Sequence, residues 1–493
     1  MLLCALAGCF PSREDIYREI GSSHLALYEE WHRGEALSEL SLLQEGGELT
    51  LQRALELAMG HSQGIKDVLQ EKEKARWRIV EAYGMVTPSV LGSASYTRVE
   101  ERPGSALATP NSYAAGVTVT QPIFDSGAIG AAMRGATVYN CLADEQVRQE
   151  VQTVAYQVAH KYWEYRLATQ LFEVQQAGLE SSERQLKDVE AKLEQGLSTE
   201  FDRLRAQVEV ANFRTAMIQE RNKMQLSRAQ LFREIGISQR SEAVPSEPFS
   251  FLPLTLSFEE AVRIALQKRP DLFKADMVVR LQKEAKNLIR SGLLPRLDAF
   301  LSKQWSRPDP TTYVDKWGSL WSAGLSLTWP LSMGTYGQMQ EQNVVIRQSE
   351  IQRTDTFQKA LLEVRQALLD LENAQEQVKA QELNQESARR AEELAVVAKE
   401  SGVRTDLEVM DARAARVRAQ GLYYQALYAH TIARMDLEKA LGLLAPEPGT
   451  SEVPGHVPVP GRLEHFATDT DLPDSAAPGP VDVHEREGSG GEE

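Results

Sequence analysis

LSLTWPLSMGTYGQ, residues 325–338, joins two patterns that one element cannot hold. Leu325, Leu327 and Trp329 alternate with Ser326 and Thr328, the period of a half-buried strand. Pro330 and Gly334 break that pattern. After Gly337 neither Gly nor Pro occurs until Gly402, so the spacing predicts one very long helix. VTVTQPIFDSG, residues 117–127, builds the same junction earlier in the chain.

The junction recurs because the chain is written twice. LTLQRALELAM at 49–59 matches LSFEEAVRIAL at 256–266, and PSVLGSASYTR at 88–98 matches PRLDAFLSKQW at 295–305. EQGLSTEFDRLRAQ at 194–207 matches ESGVRTDLEVMDAR at 400–413. Phe201, Leu204, Val208 and Ala211 correspond to Leu407, Met410, Ala414 and Val417, and the offset stays near 207 throughout. Each repeat reads helix, strand, loop, strand, long helix, tight turn, long helix. The first long helix is expected from about 129 to 195 and the second from about 336 to 401. Each then reaches about 100 Å. Phe357, Leu361, Val364, Leu368, Leu371 and Val378 give a sparse coiled-coil seam. Gly196 and Gly402 stand where each helix must turn back, and glycine tolerates the left-handed conformation such an end needs.

Four strands are expected, at 88–100, 113–124, 295–307 and 319–330. About ten tilted residues is the length of a transmembrane β-strand. In the last, Trp321, Ala323, Leu325, Leu327 and Trp329 alternate with small polar residues. Trp305, Trp317, Trp321 and Trp329 fall in the second strand pair and are read as interfacial aromatics. Lys303 interrupts the apolar face of its strand. A soluble sheet packed on a helix also alternates, so that reading stays open here. Four strands cannot close in lipid, where an open edge leaves backbone groups without partners. A membrane reading therefore demands an oligomer: two chains give eight strands, a barrel filled by its own side chains, and three give twelve, with room for a lumen.

Composition sets the outer limits. With 493 residues and 42% apolar content the chain is globular in class. No run of 18 apolar residues offers a membrane-spanning helix. The balance of 54 basic against 70 acidic residues argues against nucleic acid as a partner. Cys4, Cys9 and Cys141 are too few and too scattered for a disulfide framework or a zinc site. Leu6-Ala7-Gly8-Cys9 resembles the lipobox of bacterial lipoproteins, which implies cleavage before Cys9 and its lipidation. Phe10, in place of Asp, then implies sorting to the outer membrane. The basic region and longer apolar core of an export signal are missing, so this reading expects a start further upstream. The other reading is an apolar start with a chance cysteine. Residues 1–9 are thus a signal remnant, 10–48 a lead-in, 49–245 and 246–444 the repeats, and 445–493 an acidic Pro/Gly-rich tail expected to be disordered.

The openings LTLQRALELA and LSFEEAVRIAL, the strand ends QPIFDSG and TWPLSMG, and the two turn motifs resemble the TolC-like outer-membrane efflux protein family, from about 49 to 444. The resemblance implies a mixed α+β membrane protein. It implies a homotrimer with a twelve-stranded β-barrel in the outer membrane and a long periplasmic α-helical barrel. It implies a passive exit duct, docked onto a periplasmic adaptor and an inner-membrane pump that supplies the energy. No P-loop, GxSxG, HExxH or metal-spaced Cys/His set appears, so neither catalysis nor a cofactor is expected. A soluble coiled-coil scaffold is the alternative function. Cargo and pump class are not readable.

Working residues are expected at the periplasmic end. Glu408 and Asp411 lie three apart on one helix face, with Arg404 one turn before. Three copies would form stacked acidic rings, which favour cations and narrow an opening. The resemblance implies that an Arg and two acids at these positions hold an aperture shut. Here Glu408 stands for the commoner Asp, and Lys399 stands where a latched member carries an aromatic. Gly196, Leu197, Ser198, Thr199, Gly402, Val403 and Thr405 are the expected adaptor-docking tips, with Leu197 and Val403 exposed for a partner's hairpin. The plainer alternatives are a solvated helix face and an ordinary turn between helices.

Overall fold

Thr50 starts the first repeat: its hydroxyl accepts the N–H of Arg53 at 3.3 Å and caps α1 (Leu51–His61). Ser62 caps α2 (Gln63–Gly84) in the same way. Just before Thr50, strand β1 (Glu48–Leu49) is set to pair with the linker between the repeats. The chain then rises through β2 (Ser89–Arg98) and returns through β3 (Asn111–Phe124). It continues into α3 (Ala128–Glu194), turns, and comes back as α4 (Glu200–Ile235). The linker strand β4 (Val244–Pro245) pairs with β1 in parallel.

The second repeat repeats the plan. Ser257 and Glu260 form a capping box on α5 (Phe258–Lys268), and Pro270 opens α6 (Pro270–Ser291). Strands β5 (Arg296–Arg307) and β6 (Gly318–Thr328) follow. Then come α7 (Met333–Glu400) and α8 (Asp406–Leu441). The computed structural model describes residues 17–18, 20–24, 26–29, 48–99, 111–237, 243–312, 314–401, 403–447 and 460. Cys9, the tip glycine Gly402, most of the lead-in and nearly all of the tail lie outside them.

At 67 and 68 residues, α3 and α7 are each about 100 Å long. Near the sheet they are flanked by α2 and α6; toward the turns they are flanked by α4 and α8. The lower layer runs α4, α3, α8, α7, so α3 and α8 are central and α4 and α7 are edges. Two apolar clusters sit at mid-height. One gathers Leu51 and Leu55 of α1, Val151, Ala155, Val158 and Tyr162 of α3, and Leu231, Phe232 and Ile235 of α4. The other gathers Ala261 and Ala265 of α5, Val364 and Leu371 of α7, and Leu437 and Leu441 of α8. Gly442 ends α8 with φ +78°, and a Cβ there would meet the backbone of Lys268 and Arg269 at 2.8 Å. The close approach and the left-handed conformation both require glycine. Among the described residues no helix is long and apolar enough to cross a membrane.

Candidate functional site: strand wall and hairpin tips

The strands form one antiparallel sheet, ordered β2-β3-β5-β6. The two hairpins join where β3 meets β5, so each repeat contributes one inner and one edge strand. Register sorts the side chains onto two faces. Gly92, Val117, Lys303 and Trp321 align, as do Val90, Val119, Leu301 and Ala323, and as do Ala94, Ala115 and Trp305. Ala299 with Leu325, and Leu297 with Leu327, continue that apolar face. The opposite face is mainly polar, with Ser93, Ser95, Thr118, Thr120, Ser302, Gln304, Ser322 and Ser326, and also carries Leu91, Phe300 and Leu320. There the Ser302 and Ser322 hydroxyls share a hydrogen bond at 2.7 Å. An apolar face backed by a Ser/Thr face is what a wall between lipid and water requires.

Trp321 and Trp329 lie eight residues apart on β6 and just beyond it, about 27 Å along a strand. At the usual tilt this is about 20 Å along the membrane normal, close to the height of a barrel's apolar band. Trp329 is pinned at the helix side by its indole N–H, which donates to the Leu293 carbonyl at 3.2 Å. Trp305, Trp321 and Trp317 gather at the far side, where Trp317 meets Tyr113 and Tyr113 meets Tyr96, ring centroids 6.3 and 5.0 Å apart.

At the other end the two helical hairpins turn by one rule. Leu197 N–H donates to the Lys192 carbonyl at 2.8 Å, and Gly196 takes φ +69°. Val403 N–H likewise donates to the Ala398 carbonyl at 2.9 Å. This closure satisfies the last carbonyls of α3 and α7. It leaves Leu197 74% and Val403 79% exposed. Thr199 with Asp202, and Thr405 with Glu408, then form capping boxes on α4 and α8. Ser198 adds a third donor to the Asp202 carboxylate, at 3.3 Å.

The expected aperture residues separate into two roles. Glu408 accepts the Thr405 N–H at 3.0 Å through one oxygen, and its other oxygen lies 3.6 Å from an Arg404 nitrogen. Glu408 is therefore first a helix cap. Asp411 is exposed and stands near Glu209 of α4. The Glu209 carboxyl is pushed above the ordinary range by burial and by the Asp411 charge, against the pull of Arg205 and Arg413. Tip residues that sequence reasoning missed tie three helices together. Asp406 pairs with Lys399 of α7, lies 3.8 Å from Lys192 of α3, and accepts the Gln185 amide at 2.9 Å. Burial works to raise its pKa, but Lys399, Lys192 and Gln185 outweigh that and hold it below the ordinary value. Glu392 pairs with Arg413 and Arg416, and Arg413 reaches the Ser181 carbonyl at 3.3 Å.

This architecture has counterparts. The family model "Outer membrane efflux protein" matches residues 54–236 and 261–443, one match in each repeat. The chain belongs to the outer membrane efflux protein family. Among its relatives, the alkaline protease secretion protein AprF of Pseudomonas aeruginosa is 25% identical over 342 residues, covering 68% of this chain and 70% of that protein. The outer membrane protein OprJ of the same organism is 23% identical over 402 residues, covering 80% and 84%. The CmeC outer membrane channel of Campylobacter jejuni superposes with TM-score 0.70 at 16% identity, over 82% of this chain and 87% of that one.

This member of the efflux protein family is an outer-membrane channel of efflux or type I secretion systems, with a periplasmic helical domain. The family consists of non-enzymatic transport proteins, and membership implies a trimer within a tripartite system. A soluble scaffold is thereby set aside.

Proposed function

We propose that three copies close into one exit duct, opened at its helical tips by a periplasmic adaptor and driven by an inner-membrane pump. The observation that carries this reading is that both edges of the protomer are unfinished. β2 and β6 are edge strands within the chain. Paired between copies, they make twelve strands and leave no backbone group unpartnered in lipid. Below the sheet, the edge helix α4 exposes Phe201, Leu204, Val208, Ile218 and Leu226. The edge helix α7 exposes Leu362, Leu369, Leu383 and Val397 at heptad spacing. Packing α4 of one copy on α7 of the next buries both stripes, at about 1.5–3 kcal/mol for each large side chain.

The tips then form a ring. Leu197 and Val403 offer apolar points for an adaptor's hairpin, with Gly196, Ser198, Thr199, Gly402 and Thr405 as the remaining docking residues. Arg404, Glu408 and Asp411 form the periplasmic aperture, reinforced by Glu209. Cys9 carries the lipid that anchors the chain to the outer membrane. We test the tips with Leu197→Asp and Val403→Asp. Trimers should persist while pump-dependent export is lost. Export at wild-type rate by both variants contradicts the docking role.

A further inference from the structure

We propose that Lys303, Trp305 and Trp321 form a docking site for the phosphate-bearing headgroup of an outer-leaflet glycolipid. The inference rests on the barrel reading above, which puts this face of the sheet toward lipid.

Lys303 is the ammonium that interrupts an otherwise apolar face. It aligns with Val117 on one side and Trp321 on the other. The next row inward is Val90, Val119, Leu301 and Ala323. The Lys303 nitrogen lies 4.6 Å from the Trp321 ring centroid and 5.1 Å from that of Trp305. Among the described residues no carboxylate forms an ion pair with it, whereas Arg307, two rows further out, is paired with Asp315 at 2.9 Å. Arg98, at the outer end of β2, is also exposed on this face.

The depth of the site narrows the occupant. β2 and β5 leave the helical side at Ser89 and Arg296, so Arg98 and Arg307 lie at the external end of the wall. Trp321 belongs to the outer aromatic belt and Trp329 to the inner one. Lys303 therefore sits at the headgroup level of the outer leaflet, not at the middle of the hydrocarbon. The two rings take up the faces of the cation but accept no N–H hydrogen bond of ordinary strength. An ammonium has three donors. A phosphate oxygen satisfies both the donors and the charge, in a setting drier than bulk water. The excess of cations on this face matches an anionic headgroup, and Trp305 and Trp321 offer flat surfaces to the sugar carrying it.

The experiment uses the purified full-length trimer in detergent, titrated with bisphosphorylated lipid A or its dephosphorylated form and read by native mass spectrometry. Wild type and Lys303→Arg should hold the phosphorylated lipid about tenfold more tightly than Lys303→Gln, the scale of one charge-assisted hydrogen bond. Trp321→Leu should weaken it in the same direction. The dephosphorylated lipid should bind wild type and Lys303→Gln alike. Equal retention of phosphorylated lipid by wild type and Lys303→Gln overturns the site and leaves Lys303 as a residue reaching toward water. Bilayer conductance of each variant separates the two layers of inference: unchanged currents keep the barrel while the lipid site is judged. A wild-type protein with neither trimer nor current overturns the barrel and the lipid site together.

Discussion

The two helical hairpins obey the same local rules and occupy opposite settings. Thr199 and Thr405 cap α4 and α8 with the same box, and Gly236 and Gly442 end them in the same left-handed conformation. Yet Phe201 is 68% exposed, while its counterpart Leu407 is half-buried; Ala211 is exposed, while Val417 is buried. α8 is held between α3 and α7, whereas among the described residues α4 runs along α3 and meets α1 near its C-terminal end. The long helices invert this: α3 buries Tyr162, Trp163 and Tyr165 at the protomer's centre, and α7 runs along its edge. Duplication therefore supplied one central and one edge helix from each repeat. Both edge members expose large apolar residues, which on the proposed assembly a neighbouring copy covers.

The most severe way to break this asymmetry is to charge one edge. Phe201→Asp combined with Leu204→Asp should abolish trimers in detergent, seen as a fall in particle mass, since burial of both side chains is lost at each of the three seams. The matched changes in α8, Leu407→Asp with Met410→Asp, should instead lower protomer stability. A second, smaller effect sharpens the tip comparison. Asp406→Asn removes the anion that Lys399, Lys192 and Gln185 share, and should lower the thermal midpoint of the helical part by several degrees. Its counterpart Glu200 is exposed and, among the described residues, pairs only with Arg203 of its own helix, so Glu200→Gln should be nearly silent.

A pH response should come from both repeats, since burial lowers the pKa of His160 of α3 in the first and of His430 in the second. His430 of α8 is buried against Phe251, with neither ring nitrogen hydrogen-bonded among the described residues, and burial and the Arg434 charge push its pKa down to about 4. A histidine depressed in the fold binds its proton more readily when unfolded. Stability is therefore full above the ordinary histidine value of about 6.5 and falls as pH drops toward 4. Thermal midpoints measured between pH 7.5 and 4.5 should decline, and His430→Leu should flatten that part of the curve. The smallest effect is capping: Thr405→Ala and Thr199→Ala should each cost about 1 kcal/mol, read by denaturant unfolding.

Much of this was legible because it depends on near neighbours. Alternation in LSLTW, the glycine-free run after Gly337, and Gly196 before Leu197 each act within a few residues. Thr-x-x-Asp and Thr-x-x-Glu at 199–202 and 405–408 also carried the capping-box signal, although Glu408 drew notice as a ring acid instead. What stayed hidden depends on tertiary register. Lys303 read as a break in a strand until cross-strand pairing set it beside Trp321. Asp406 has no local sign that α3, α7 and α8 converge on it. Of the expected seam, Val364, Leu371 and Val378 are buried and Leu361 and Leu368 half-buried, but Phe357 is exposed. The second α7 stripe through Leu362, Leu369 and Leu383 lies on the same heptad repeat and escaped notice, because one helix was matched to one partner.

The central claim is that the unfinished edges of this protomer meet one another. The direct measurement is disulfide trapping in the outer membrane between cysteines introduced on the two edge strands, singly and together, at Val90 of β2 and at Leu325 and Leu327 of β6, followed by particle mass and planar-bilayer conductance. The account predicts linked dimers and trimers only when both edges carry a cysteine, and a particle of three chains that conducts cations. Monomers without current, or cross-links formed equally by cysteines on the inner strands, would contradict it.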